Sequence, residues 1–187
     1  DGGTTWKRIE KHGLPNSPLG KIAVNVAPSD PQRVYALIET GQKGSLWRSD
    51  DGGENWKLVN SSRLLNERPH YYTRMLVMPD NANEVYFPDN VMGATWDGGE
   101  TAEQIRWGGD NHDMWADPKD ARRMMIGNDG GVMISTTRGR RWHSMRLPIG
   151  QMYHVAADNR VPYMVYAQMQ DDGSMREWMA WPEHCLF

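Results

Sequence analysis

Apolar and polar residues alternate along this chain in short runs that never lengthen into a helical stripe. In "KIAVNVAP" Ile22, Val24 and Val26 alternate with Ala23 and Asn25, the period-two pattern of a half-buried strand. "RVYALIE" follows the turn "PSDP", then come "GSLWRS" and, beyond another turn, "WKLV". Four such runs joined by turn residues predict one four-stranded antiparallel sheet over 19–60. The same order recurs as "YYTRMLVMP", "EVYFPD" and "GATW" over 68–107, and as "HDMWADP", "RMMIGND", "GVMIS" and "RWHSM" over 110–146. "YHVAADN" and "YMVYAQMQD" start a further unit over 151–175, residues 1–18 read as the end of a unit, and 176–187 is an unassigned tail. In each unit the first two strands are separated by a Pro, Asp or Asn turn. No run predicts an amphipathic helix.

The repeats set the architecture. Asp-Gly-Gly stands at Asp1, Asp51 and Asp97, 50 and then 46 residues apart, and "STTRGRRW" is a worn fourth copy with Thr137 at the Asp position. A period of about 40–50 residues filled by short strands is the spacing of β-propeller blades. The fold class expected is therefore all-β, an arc of four-stranded blades. The turn itself has a mechanical reading: its acid accepts loop amides, its glycines take positive φ, and its closing Trp packs the hairpin. That places these turns on the rim, away from the propeller axis.

"SDDGGENW" resembles the Asp-box (BNR) repeat, Ser-x-Asp-x-Gly-x-Thr-Trp, of sialidases, propeller xyloglucanases and sortilin-type domains, with Asn55 for Thr. "DGGTTW" is similar from its first residue, whereas "WDGGETA" has Ala102 where the Trp would stand. The segments "RPHYYTR", "GGDNHDMWADPKD", "IGNDGGVMIS" and "YHVAADN" look like large bacterial secreted proteins described as glycosyl hydrolase, BNR-repeat or sortilin-like. The resemblance spans Leu19 to Ser174. It implies a seven-bladed ring, a secreted or periplasmic location, and either carbohydrate processing or non-catalytic binding of peptide or protein. Three full blades and parts of two more leave sheet faces uncovered, so the remainder of the propeller or another chain is an expected partner.

Charge and composition narrow the partners. A net charge of −3 excludes a broad nucleic-acid surface, and the one basic run, Arg138 to Arg141, reads as a solvated turn. No stretch reaches the roughly 18–20 apolar residues of a membrane span. The single cysteine, Cys185, excludes an internal disulfide. Nine Trp and seven Tyr against two Phe suit half-exposed strands and sugar-stacking surfaces.

Candidate chemistry lies where the first strands of successive blades open on one face of the disc. Asp110, His112, Asp113 and Asp129 are the expected catalytic group, with carboxylates for acid and base work and an imidazole between them. On a strand Asp110 and His112 share a face and Asp113 takes the other. Arg68, Tyr71, Tyr72, Arg74, Tyr153, His154, Gln170 and Asp171 are the expected substrate-binding set, and Asp89 and Asn90 join them from a loop. A sialidase reading would use a Tyr nucleophile and an arginine cluster, but no third arginine accompanies Arg68 and Arg74. The donor set Asp110, His112, Asp113 and Asp129 also suits a divalent cation. Without a tight ligand spacing, no metal or cofactor is assigned.

Overall fold

A computed structural model describes residues 2–178, apart from 10, 17, 42–44, 146–151 and 170–173. The chain forms two compact units, 1–146 and 147–187. Three four-stranded antiparallel meanders make up the first. Sheet 1 comprises β1 (Ile22–Ala27), β2 (Asp30–Ile38), β3 (Ser45–Ser49) and β4 (Lys57–Asn60). Sheet 2 comprises β5 (Leu76–Met78), β6 (Asn81–Phe87), β7 (Gly93–Thr95) and β8 (Glu103–Gln104). Sheet 3 comprises β9 (Asn111–Asp117), β10 (Asp120–Asn128), β11 (Gly131–Ser135) and β12 (His143–Met145). The second unit holds one sheet, β13 (Met152–Ala157), β14 (Met164–Met169) and β15 (Ser174–Trp178).

The strand period explains how the first three sheets stack. Along β6, Val85 and Phe87 point to one side and join Tyr35, Leu37 and Leu46 of sheet 1. Tyr86 points to the other and packs with Met114, Met124 and Ile126 of sheet 3. The run "EVYF" is thus apolar throughout because both faces of sheet 2 are covered. Each fully buried large side chain here contributes about 1.5–3 kcal/mol. Methionines account for much of this packing: Met75, Met78, Met92, Met114 and Met124 are all buried between sheets, where a flexible thioether fills irregular gaps. The outward faces differ: Ile22, Val24 and Val26 of sheet 1 and Trp115 and Met125 of sheet 3 are substantially exposed.

Polar bonds tie the sheets together at their turns. Tyr35 Oη donates to the Ala82 carbonyl at 2.7 Å, Arg48 to the Gly98 carbonyl at 2.8 Å and Asn60 to the Gly99 carbonyl at 2.8 Å. Arg138 departs from the solvated turn read in the sequence. It forks onto Asp80 (2.7 and 2.9 Å) and reaches the buried Glu84 at 2.7 Å, because its left-handed backbone, φ 55°, turns the side chain across sheet 2.

The recurrent acidic turns, each between the third and fourth strands, share one hydrogen-bond scheme. Ser49 Oγ donates to Asp51 Oδ1 at 2.7 Å and accepts from Gly53 N at 2.9 Å, while Asn55 N donates to Asp51 at 2.8 Å. Thr95, Asp97, Gly99 and Thr101 repeat it, and in the worn fourth copy Thr137 Oγ1 takes the carboxylate's place, accepting from Arg141 N at 2.9 Å. Bonds from the Asn55 backbone and side chain hold the Asp51 carboxyl at about 2. Desolvation pushes Asp97 up, but the Thr101 and Thr95 bonds outweigh it and bring that carboxyl also to about 2. Both folded values lie below the unfolded one, so their stabilisation is present above pH ~4 and is lost as pH falls toward ~2. Thermal melts from pH 5 to 2 are expected to show this acid limb, and Asp51→Asn with Asp97→Asn to flatten it.

Two further sequence expectations are corrected. "YYTRMLVMP" is not one strand: Pro69–Tyr72 form a helical turn, α1, and only Leu76–Met78 pair in the sheet. Proline at the first helical position needs no amide partner, and Thr73 Oγ1 closes the turn by donating to the Pro69 carbonyl at 2.6 Å. In the second unit, β15 runs to Trp178, three residues into the presumed tail, with Arg176 opposite Tyr166.

Candidate functional site

The first strands of successive sheets lie side by side. Asn25 in β1 donates to the Met75 carbonyl at 3.0 Å, and Arg74, just before β5, pairs with Asp113 in β9 at 3.0 Å. Their adjacent ends carry most of the residues singled out by sequence.

A buried carboxylate positions the first half of this cluster. Asp89, 1% exposed, accepts the Glu67 amide at 2.9 Å and the Arg68 amide at 3.4 Å through Oδ2, and the Asn90 amide at 2.7 Å through Oδ1. Burial raises its carboxyl above the ordinary range, against the pull of these amides. The loop so held presents Arg68 over both tyrosines, 5.5 Å from the Tyr71 centroid and 5.6 Å from that of Tyr72. Tyr71 and Tyr72 meet edge to face at 4.8 Å, and the His112 ring lies 5.7 and 5.4 Å from them. Tyr72 is 2% exposed and supports this stack from below, whereas Tyr71, 39% exposed, offers its ring to solvent.

Strand β9 supplies the second half. Asn111 pairs with Asn128 and Asp113 with Gly127, so His112 is the extra residue of a bulge. Asp110, at φ 53°, precedes the bulge, its amide donating to the Asn90 carbonyl at 3.2 Å. His112 Nε2 lies 2.6 Å from Oδ1 of Asp129, in the turn after β10. One donor atom each from Asp110, His112 and Asp129 lies within 4.8 Å of the other two. Asp113 turns elsewhere: Oδ2 accepts from Arg74 and Oδ1 from the Met114 amide at 2.9 Å.

Asn111 went unnoticed in the sequence. It is fully buried and its side-chain amide donates to the Asp89 carbonyl at 3.3 Å, tying the two halves together. The only sequence signal is a polar residue at an inward position of an inner strand.

The remaining expected residues belong to the second unit. His154 is exposed on β13 of the second unit, opposite Gln168, and shares with Tyr166 and Arg176 an open groove of about 580 Å³. Tyr153 lies on the same strand, its side chain outside the described residues, as are Gln170 and Asp171 altogether. Trp115, on the same strand as His112, is on the outward face of sheet 3.

Four-stranded meanders stacked face to face, inner strands adjacent and tight turns at the rim, are the blades of a β-propeller. Solved structures agree. The chain superposes on the GH74 enzyme of Niastella koreensis with a TM-score of 0.62 at 16% identity, covering 84% of this chain and 28% of that one. It superposes on the GH74 xyloglucanase of Xanthomonas campestris at 0.57 and 14% identity, covering 82% and 27%. With YCF48 from Cyanidioschyzon merolae the score is 0.53 at 16% identity, covering 85% and 56%. The chain thus spans between about a quarter and a little over half of these proteins, and the likeness concerns the fold. No protein-family model matches the sequence, and no curated protein does.

Proposed function

We propose that the chain is part of an Asp-box propeller that engages carbohydrate where the inner strands of sheets 2 and 3 end, in a glycoside-hydrolase-like protein of the secreted or periplasmic space. The observation that carries this reading is the exposed Tyr71 ring, flanked by Arg68 and His112, with Asp129 held by His112 and the Arg74–Asp113 pair joining the same two sheets. An aromatic platform takes the apolar face of a sugar, and carboxylate and guanidinium groups take paired hydroxyls. The fold likeness to GH74 enzymes supports the same ligand class.

Hydrolysis calls for a second carboxylate from across the ring. Asp110 and Asp129 lie on one blade with donor atoms no more than 4.8 Å apart, closer than the ~5–5.5 Å of a retaining pair and well short of the ~6.5–9.5 Å of an inverting one. Asp129 with His112 is one half of such machinery, and Asp113 is occupied by Arg74. A second reading, non-catalytic peptide capture, is favoured by that exposed ion pair, which can exchange its partners for charges on a peptide.

Calorimetry of the intact protein against soluble polysaccharides, xyloglucan among them, and against charged peptides separates the two. Carbohydrate binding that weakens about tenfold in Tyr71→Ala, a loss of ~1.4 kcal/mol, is expected. Binding of peptides alone would replace the carbohydrate reading with the second.

A further inference from the structure

The geometry points to a divalent-cation site at Asp110, His112 and Asp129, of the class that takes zinc or manganese. It deepens the proposed carbohydrate site, since one of its ligands, His112, packs on Tyr71, and in that respect rests on it.

The donors are one imidazole nitrogen and two carboxylates, each offering an atom within 4.8 Å of the others. A coordination shell of radius about 2.1–2.4 Å places ligand atoms about 3 Å apart when adjacent and about 4.2–4.8 Å when opposite. The set therefore closes round an ion with little more than side-chain rotation. The 2.6 Å contact of His112 Nε2 with Asp129 Oδ1 is the adjacent pair, and a cation would take the place of the proton they share. Mixed nitrogen and oxygen donors select first-row divalent ions over calcium, which prefers oxygen alone.

Local backbone directs these side chains. The His112 bulge and the left-handed Asp110 bring two ligands from one strand toward a third on the neighbouring turn. A separate observation lies on the same strand as His112. Asn111, between the two ligands, is fully buried and its Oδ1 has no hydrogen-bond partner. Gly108, at φ 68°, packs closely beside that oxygen: a Cβ there would come within 2.8 Å of it. A buried acceptor without a donor marks the place of a bound water, and a cation at Asp110 and His112 supplies one in its outer shell. The tyrosine stack on His112 fixes the ring plane, as a metal ligand requires.

The test is titration of zinc chloride and manganese chloride into the intact, tag-free protein after chelator treatment. One equivalent is expected to bind, weakened more than about tenfold by Asp129→Asn or His112→Gln and unchanged by His143→Ala. The isosteric Asp129→Asn and a melting curve for each variant separate lost ligation from lost fold, and the Mn²⁺ resonance spectrum reports binding independently of activity. Saturable binding that survives both ligand variants, or none at millimolar ion, overturns the site. Carbohydrate binding measured alongside keeps the two readings apart: sugar bound without metal refutes the cation site alone, and metal bound without sugar refutes the carbohydrate reading alone.

Discussion

Arg138→Ala is expected to lower stability by about 2–3 kcal/mol, less than the ~3–5 of a fully buried pair because Arg138 and Asp80 are partly exposed while Glu84 is buried. Arg138 forks onto Asp80 and reaches Glu84, and Tyr86 Oη donates to the same Glu84 at 2.6 Å. Glu84 is 5% exposed, so without the guanidinium its charge stays buried and unmatched. Attachment to the two carboxylates raises the Arg138 pKa, and burial together with Glu84 raises that of Tyr86. The backbone of Arg138 is left-handed, and alanine bears the same conformational cost there, so the measured loss belongs to the side chain. Arg138→Lys keeps the charge without the fork and is expected to recover part of the loss. Arg138→Met with Glu84→Gln removes both charges and is expected to recover more. Urea unfolding measures all three; a loss under ~1 kcal/mol for Arg138→Ala would show that this contact does not hold sheets 2 and 3 together.

The second large effect is expected at Gly139, where Ala costs about 2–5 kcal/mol. Its φ is 74°, and a Cβ would stand 2.2 and 2.3 Å from two ring atoms of Trp107. Positive φ costs a non-glycine residue about 1–2 kcal/mol, and overpacking adds about 1–3. Trp107 cannot swing away cheaply, since it packs on Trp142 at 5.2 Å and on Tyr86 at 5.1 Å. Gly41, with open space around it and no positive φ, is the control: Gly41→Ala should leave the urea midpoint within error.

These positions show what the sequence makes legible. The sheets are readable because period-two runs and Pro, Asp or Asn turns are local signals, and β1, β2, β9 and β10 lie where the alternation places them. Asp110 and His112 come together apart from Asp113, but through a bulge and a left-handed residue that the alternation does not announce. Partners from other blades are not local. "TRGRRW" looks like a solvated turn until Asp80 and Glu84, more than fifty residues away, are brought against it. Tyr71 and Tyr72 are indistinguishable as letters, yet one is exposed and the other buried, because a helical turn anchored by Asp89 and Thr73 replaces the expected strand. The thirteen methionines have no pattern in the sequence; the use of Met78, Met92, Met114 and Met124 as filler becomes visible only between packed sheets.

The central claim is that the inner-strand ends of sheets 2 and 3 form one ligand-binding surface centred on Tyr71. Its most direct test is a crystal structure of the intact protein soaked with an oligosaccharide that calorimetry shows to bind. A sugar ring stacked on Tyr71, with hydroxyls on Asp129 or on Arg74 and Asp113, is the predicted result. A sugar bound elsewhere in the ring, with the Tyr71 face bare, would contradict it.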